Sequence, residues 1–376
     1  MKIAVLGYGT VGKGVDRIIR ERVSGVEVAR ILELPDRLTD ERMTSNFKEI
    51  LGDDSIEVVV ECMGGLEPAH TFIMDALAAG KSVVTSNKAV VAAYIDEFVR
   101  QANTTGACLL VEASVGGGIP WIASVEKVRR IDEVKSFYGI MNGTTNYIVD
   151  AMVKQGADFD DVLREAQELG YAERDPSADI DGIDVRNKTI ISVGVAFNTA
   201  CEKDIPTTGI RTLTKRDLDV LGEKGLSVKL LGRGVQADGG YAAAVEPVAL
   251  PVRSLEANVP SNFNLISLDG TTVGPLKFYG QGAGMLPTGN AMVQDVLDFA
   301  AGHRPHYDFS RGLEWRPELL TSDYVYRTTA EVEGAEPFAE GMVVLRGLTA
   351  VQARQTFERA QEVDPSTFMA ALSQED

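Results

Sequence analysis

The chain predicts an α/β protein: a domain built on a parallel sheet, then an α+β domain with a mixed sheet. Three observations carry this. An apolar strand, Lys2-Ile-Ala-Val-Leu6, runs directly into Gly7-x-Gly9-x-x-Gly12 and an amphipathic segment with Val15, Ile18 and Ile19. Strand and helix patterns then alternate to about residue 111, as parallel strands joined by crossover helices require. From Gly225 to Phe278 the pattern changes to strands separated by turns.

The elements follow in order. The opening strand–turn–helix is the dinucleotide-binding fingerprint of a Rossmann-type sheet. Gly7 makes the tight turn, Gly9 lets a pyrophosphate approach the backbone, and Gly12 lets helix and strand pack closely. Val26–Glu33 is the second strand. Glu33 stands where an acid holds a ribose 2′-hydroxyl, about twenty residues past the fingerprint. Arg30 and Arg37 lie close by and suit a 2′-phosphate instead; all three also read as solvated charges. Strands are expected at Ile56–Val60, Ser82–Thr85 and Ala107–Val111, and helices at Pro68–Ala79 and Val90–Thr105. Ligands sit beyond the carboxyl ends of such strands, which makes Lys88 a site candidate.

Beyond this sheet, Glu112–Pro120 is a glycine-rich turn whose carbonyls suit a cation, or simply a tight turn. Val134–Gly139 is a strand. Asn142-Gly-Thr-Thr-Asn146 caps a helix running to Gln155, with Gly156 closing it. Its hydroxyls and amides suit a small carboxylate. Phe159, Val162, Leu163, Ala166 and Leu169 form a helical core stripe. Strands at 228–232, 241–245, 264–268 and 272–278 follow, with Asp269-Gly270 as a hairpin turn. Their sheet offers an open face for a homodimer. Pro287–Ala301 is a helix that returns the chain to the first domain. Strands at 323–332 and 341–346 and a helix at 349–362 form a small α/β appendix.

The segment Tyr171–Lys188 is the most informative. Five carboxylates (Glu173, Asp175, Asp179, Asp181, Asp184) precede a single lysine, and an apolar helix follows. Asp184 and Lys188 are four residues apart and share one helix face. A lysine opening a buried helix beside an acid is set to move a proton; the alternative is an ordinary surface ion pair.

Composition bounds the partners. A net charge of −18 over 376 residues disfavours nucleic acid and anionic membranes. Met1 leads straight into a strand, and no apolar run is long enough to span a bilayer, so neither signal peptide nor membrane segment is expected. Three isolated cysteines (Cys62, Cys108, Cys201) read as buried thiols of a reducing compartment, which points to the cytoplasm. Three histidines without paired spacing argue against a zinc site.

Several motifs together resemble the homoserine dehydrogenase family, from about Met1 to Gly302. They are Glu61–Pro68, Val83–Lys88, Glu112–Pro120, Gly139–Ile148, Gly170–Lys188 and Gly282–Thr288. The resemblance implies reduction of L-aspartate 4-semialdehyde to L-homoserine with NADH or NADPH, on the path to threonine, methionine and isoleucine. It makes Lys188 the proton donor to the aldehyde oxygen, Asp184 its orienting acid, and Lys88 a residue between nicotinamide and substrate. It gives Glu173, Asp179, Thr144 and Tyr171 to the substrate, and Thr10, Val11, Met63, Gly64 and Gly284 to the cofactor. It matches Glu112, Val115, Gly117 and Ile119 to a sodium site. Many relatives carry an arginine after the second strand for the NADP phosphate; here Glu33-Leu34 stands there, which favours NAD. The tail is too short for a full regulatory ACT domain. The expected domains are 1–131 for the dinucleotide, rejoined by about 285–320, 132–284 for substrate and dimerisation, and the appendix 321–376. Rival readings are another amino-acid dehydrogenase, which needs an ammonia-handling motif not seen here, and an inactive NAD-sensing paralogue, which the joint presence of Lys88, Asp184 and Lys188 disfavours.

Overall fold

The structure, a computed structural model, describes residues 1–373. The first stretch holds β1 (Lys2–Leu6), α1 (Thr10–Arg22), β2 (Glu27–Leu32), β3 (Met43–Thr44), α2 (Phe47–Leu51), β4 (Ile56–Glu61), α3 (Ala69–Ala78), β5 (Ser82–Thr85), α4 (Lys88–Thr105), β6 (Leu109–Leu110) and α5 (Trp121–Val128). The middle holds β7 (Val134–Ile140), α6 (Gly143–Gln155), α7 (Phe159–Glu168), α8 (Ser177–Ile180), α9 (Ile183–Phe197), α10 (Lys215–Glu223), β8 (Leu226–Ala237), β9 (Gly240–Pro251), β10 (Phe263–Gly270), β11 (Gly274–Gln281) and α11 (Met285–Ala300). The last part holds β12 (Glu314–Trp315), β13 (Thr321–Arg327), β14 (Glu336–Ala339), β15 (Met342–Thr349), α12 (Ala350–Val363) and β16 (Phe368–Leu372).

Two units divide the chain. The first comprises Met1–Ile131, Ile191–Cys201 and Gln281–Gly312. Its sheet runs β3-β2-β1-β4-β5-β6, with every pairing parallel. The apolar strands sit between helices and are buried on both faces, so they read as continuous runs rather than alternating ones. Ile3, Val5, Val58, Val60 and Val84 join Val15 and Ile19 of α1 and Met292, Val293 and Val296 of α11 in one core. Burying each such side chain contributes about 1.5–3 kcal/mol. At Gly12 the sequence has no freedom: an added Cβ would lie 2.1 Å from the Gly7 carbonyl oxygen.

The second unit comprises Asp132–Ile190, Glu202–Gly280 and the chain from Leu313. Its sheet runs β11-β10-β7-β8-β9-β16-β13-β15-β14, with β12 beside β9. It is mixed, because β9 pairs in parallel with β16 and β12, while β7, β8 and β9 pair antiparallel. The C-terminal strands therefore continue the same sheet. Arg327 of β13 clamps Asp217 of α10, with Nε to Oδ1 at 2.7 Å.

Several expectations change. Asp269 and Gly270 lie inside β10, and the bend comes later, at 271–273. The tight hairpin is instead Asp238-Gly239, between paired Ala237 and Gly240, with φ of 48° and 78°. Two positive φ values are what a type I′ turn requires. The helix expected from Val90 starts at Lys88, because the Asn87 side chain caps it by accepting the Val90 N–H. The strand expected at 323–332 ends at Arg327, and β16 had no sequence expectation. The region 225–278 is not bare of helices: α6 and α10 pack against β8, and α6 against β10. Of the three cysteines only Cys108 is fully buried; Cys62 and Cys201 are half-buried. Among the described residues, no helix is long and apolar enough to cross a membrane.

Candidate active site

In the first unit, the fingerprint leaves a helix start without a side-chain cap. Gly9 is the N-cap of α1 and the first turn has no acid. The first backbone bond into the helix is Lys13 N–H to Gly9 O at 3.1 Å. The amides of Thr10, Val11 and Gly12 meet no acceptor among the described residues. Three outward donors at the positive end of a helix dipole suit a pyrophosphate.

Glu33 directly follows β2 beside this turn. Its Oε2 accepts the Tyr8 N–H and its Oε1 the Leu34 N–H, both at 2.9 Å. The carboxylate is thus fixed against the Gly7–Gly9 loop, where the sequence places the ribose acid. Arg30 and Arg37 are not drawn to it: Arg30 Nη1 donates to the Ala29 carbonyl, and Arg37 lies exposed in a short 3-10 turn. The neighbouring Arg42 is neutralised by Asp16 and Asp40, at 2.9 and 2.6 Å.

Glu61, not singled out from the sequence, organises the next loops. Its carboxylate accepts the Met63 N–H at 2.6 Å and the Thr85 hydroxyl at 2.5 Å, and burial raises its pKa. Asn87 Nδ2 donates to the Gly65 carbonyl at 2.8 Å. The Met63–Gly64 turn and Lys88, half-buried at the head of α4, are therefore tied to the ends of β4 and β5. Gly284 caps α11 with φ of 125°.

The Glu112–Ile119 loop follows β6. The Glu112 carboxylate accepts the N–H groups of Ile122 and Ala123, and burial pushes it up to about 7. The carbonyl oxygens of Val115 and Gly117 accept no hydrogen bond from any described residue, while that of Ile119 accepts the Trp121 N–H at 2.8 Å.

In the second unit, the acidic segment and the α6 cap converge. Lys188 Nζ donates to Asp184 Oδ2 at 2.8 Å and to the Met141 carbonyl at 2.6 Å. Lys188 and Asp184 are only 7% and 4% exposed, which removes the surface ion-pair reading. Asn142 Nδ2 donates to Asp184 Oδ2 at 2.9 Å and to Asp179 Oδ1 at 2.6 Å, while its Oδ1 caps α6 by accepting the Thr145 N–H. Asn142 thus links two candidate acids, a role its N-cap position alone did not disclose. The Thr144 hydroxyl donates to the Tyr171 carbonyl at 2.6 Å, and the Tyr171 ring meets Tyr147 edge-on at 5.1 Å. Glu173 is exposed, on a loop held by Gln167 Nε2 to its carbonyl at 3.0 Å. Burial falls from the Lys188–Asp184 pair to the half-buried Asp179 and the exposed Glu173. That is an order suited to protonating one end of a small molecule while holding a cationic group at the other.

The comparisons agree with one another. The family model described as homoserine dehydrogenase matches residues 120–297, and that described as homoserine dehydrogenase, NAD binding domain, matches residues 7–112. A homoserine dehydrogenase of Synechocystis sp. is 39% identical over 315 residues, covering 79% of this chain and 73% of its own. That of Corynebacterium glutamicum is 36% identical over 346 residues, covering 87% and 78%. Among solved structures, a homoserine dehydrogenase from Thiobacillus denitrificans superposes with a TM-score of 0.87 at 32% identity, covering 99% of this chain and 98% of its own. A hyperthermophilic archaeal homoserine dehydrogenase in complex with NADPH superposes with a TM-score of 0.70 at 25% identity, covering 81% and 99%.

Proposed function

The chain belongs to the homoserine dehydrogenase family and is an NAD(P)-dependent oxidoreductase reducing L-aspartate 4-semialdehyde to L-homoserine; we propose how its residues divide that work. The buried Lys188–Asp184 pair carries the reading. A bound nicotinamide supplies the hydride. As negative charge grows on the aldehyde oxygen, the Lys188 ammonium stabilises it and then donates its proton. Asp184 and the Met141 carbonyl hold Nζ in one direction, and Asn142 holds Asp184. Glu173 and Asp179 take the substrate ammonium. Thr144 and Tyr171 line the same pocket, with the amides around Thr144 taking the carboxylate. Lys88 shares the proton work.

The phosphates of the cofactor take the amides of Thr10, Val11 and Gly12, and Glu33 takes the ribose hydroxyls. Met63, Gly64 and Gly284 line the same cofactor. We favour NAD, because Glu33 is locked in place and, among the described residues, no arginine is directed at it. The hard oxygen donors of the 112–119 loop fit a sodium ion. Among the described residues the carbonyls of Val115 and Gly117 accept no other bond, while those of Glu112 and Ile119, which already accept the Val115 and Trp121 N–H groups, would complete the set. Such an ion would brace the loop after β6 and take no part in proton transfer. Cysteines held outside disulfides among the described residues suit a cytoplasmic enzyme.

Lys188→Ala tests the assignment. Turnover falls by about 10²–10⁴-fold while NADH binding, read by fluorescence titration, stays near the parent value. Activity within a few-fold of the parent removes Lys188 from the mechanism.

A further inference from the structure

Arg42 stands just before β3, the strand beside β2 in the sheet of the first unit. Its backbone carbonyl accepts the Ile31 N–H at 3.0 Å, two residues before Glu33. Acids hold both edges of its guanidinium. Nε donates to both oxygens of Asp40 at 3.1 Å, and Nη2 to Asp40 Oδ2 at 2.6 Å. Nη1 donates to Asp16 Oδ1 at 2.9 Å, and Nη2 to Asp16 Oδ2 at 3.3 Å. Local backbone prepares the first pair. Asp40 Oδ1 also accepts the Arg42 N–H, and the Asp40 carbonyl accepts the Met43 N–H, both at 2.9 Å, so one turn sets acid and arginine together. The Arg42 and Asp40 side chains are 26% and 30% exposed, so a ligand in solvent can reach them.

The second acid connects this arginine with the ribose position. Asp16 is fully buried and accepts the Tyr8 hydroxyl. The Tyr8 N–H donates to Glu33 Oε2. Tyr8 stands between the first two fingerprint glycines, so one residue spans from Glu33 to the acid that holds Arg42. Arg20 also meets Asp16, through Nε at 3.3 Å, from the exposed face of α1. A guanidinium fork fits a phosphate as well as it fits a carboxylate. Asp16 and Asp40 therefore occupy the donors that a phosphate would take.

We propose that Asp40 is a positioning residue for cofactor choice: with Asp16 it holds the Arg42 guanidinium away from the adenosine ribose, so that the 2′-phosphate of NADP meets Glu33 without a partnering arginine. The inference rests on the reading of Glu33 as the ribose acid. It adds a second determinant, which acts by withholding a cation rather than by presenting an anion. A purely structural turn would leave the two cofactors equally affected when Asp40 is changed.

Asp40→Asn in the full-length protein tests this. The amide keeps an oxygen for the Arg42 N–H, and so keeps the turn, but gives up the carboxylate that holds the guanidinium. The kcat/KM for NADP should rise at least about tenfold and the NADPH dissociation constant, read by fluorescence titration, should fall in parallel, while both values for NAD(H) stay within about threefold. Adding Arg42→Gln to Asp40→Asn should abolish the gain; Asp16 keeps Tyr8 and Arg20 in that variant, and NADH titration verifies its fold. An NADP change under about threefold in Asp40→Asn, an equal change for both cofactors, or a gain that survives Arg42→Gln overturns the proposal. A parent that prefers NADP contradicts the NAD reading of Glu33 alone, because the ratio of Asp40→Asn to parent still decides the role of Asp40.

Discussion

At Asn142, one side chain caps α6 and donates to both Asp179 and Asp184. Asn142→Asp keeps the cap, since aspartate caps as well as asparagine, but replaces two donated hydrogen bonds with carboxylate repulsion. The expected outcome is a turnover loss of at least about tenfold and a stability loss of about 1–3 kcal/mol, read by steady-state kinetics and urea denaturation. An unchanged kcat would show that Asp184 needs no such support. Glu33 sets the second expectation at this scale. A carboxylate near 4 Å from the 2′-phosphate of NADP is repelled by about 4 kcal/mol per unit charge at an effective dielectric near 20, before screening. The kcat/KM ratio should therefore favour NAD in the parent and shift toward NADP in Glu33→Arg. A parent preferring NADP by tenfold or more contradicts this. The Asp184/Lys188 pair was legible because i,i+4 spacing at a helix start leaves little choice of geometry. Asn142 and Glu61 were not, because their partners are 37 and 42 residues away for Asn142 and 24 for Glu61.

Elements were read best where a backbone rule decides them. The fingerprint turn, the Gly156 cap of α6 and the Asn142 cap each rest on a short-range requirement that the residues display. The hairpin was misplaced because two Asp-Gly pairs compete, and only pairing across β8 and β9 selects Asp238-Gly239. Long-range burial also decides the behaviour of Lys229 in β8. Its folded pKa of about 8 lies below its ordinary 10.5, so between those values the unfolded chain binds more protons. Stability contributed by this residue therefore rises with pH across that window and is lowest below it. Between about pH 7.5 and pH 9.5 the gain is about 2 kcal/mol by order of magnitude. Urea denaturation of the parent and of Lys229→Met should show the parent gaining on the variant by that amount as pH rises. Parallel pH profiles would show that Lys229 is charged in the fold at pH 9.5.

At the scale of the whole molecule, the second unit leaves apolar surface uncovered. Leu255 is 65% exposed and Tyr279, stacked on Phe263, is 54% exposed, with Val252 and Val273 also outward. Phe263, Tyr279 and Val273 belong to β10, β11 and the turn between them, in the region expected to form a homodimer, and Val252 and Leu255 to the loop that leads from β9 into β10. Light scattering at micromolar concentration should give twice the chain mass, and Leu255→Asp should reduce it; a fully active monomer contradicts the dimer. The family was legible from motifs spread over some 300 residues, because each motif keeps its own local geometry. The continuation of the sheet into β13–β16 was not, because β16 pairs with β9 from more than a hundred residues away. The most direct test of the central claim is oxidation of L-homoserine by the purified protein with NAD⁺ at alkaline pH. The account predicts homoserine-dependent absorbance of reduced nicotinamide in the parent and its near loss in Lys188→Ala. No reduced nicotinamide from the parent with either NAD⁺ or NADP⁺ would contradict it.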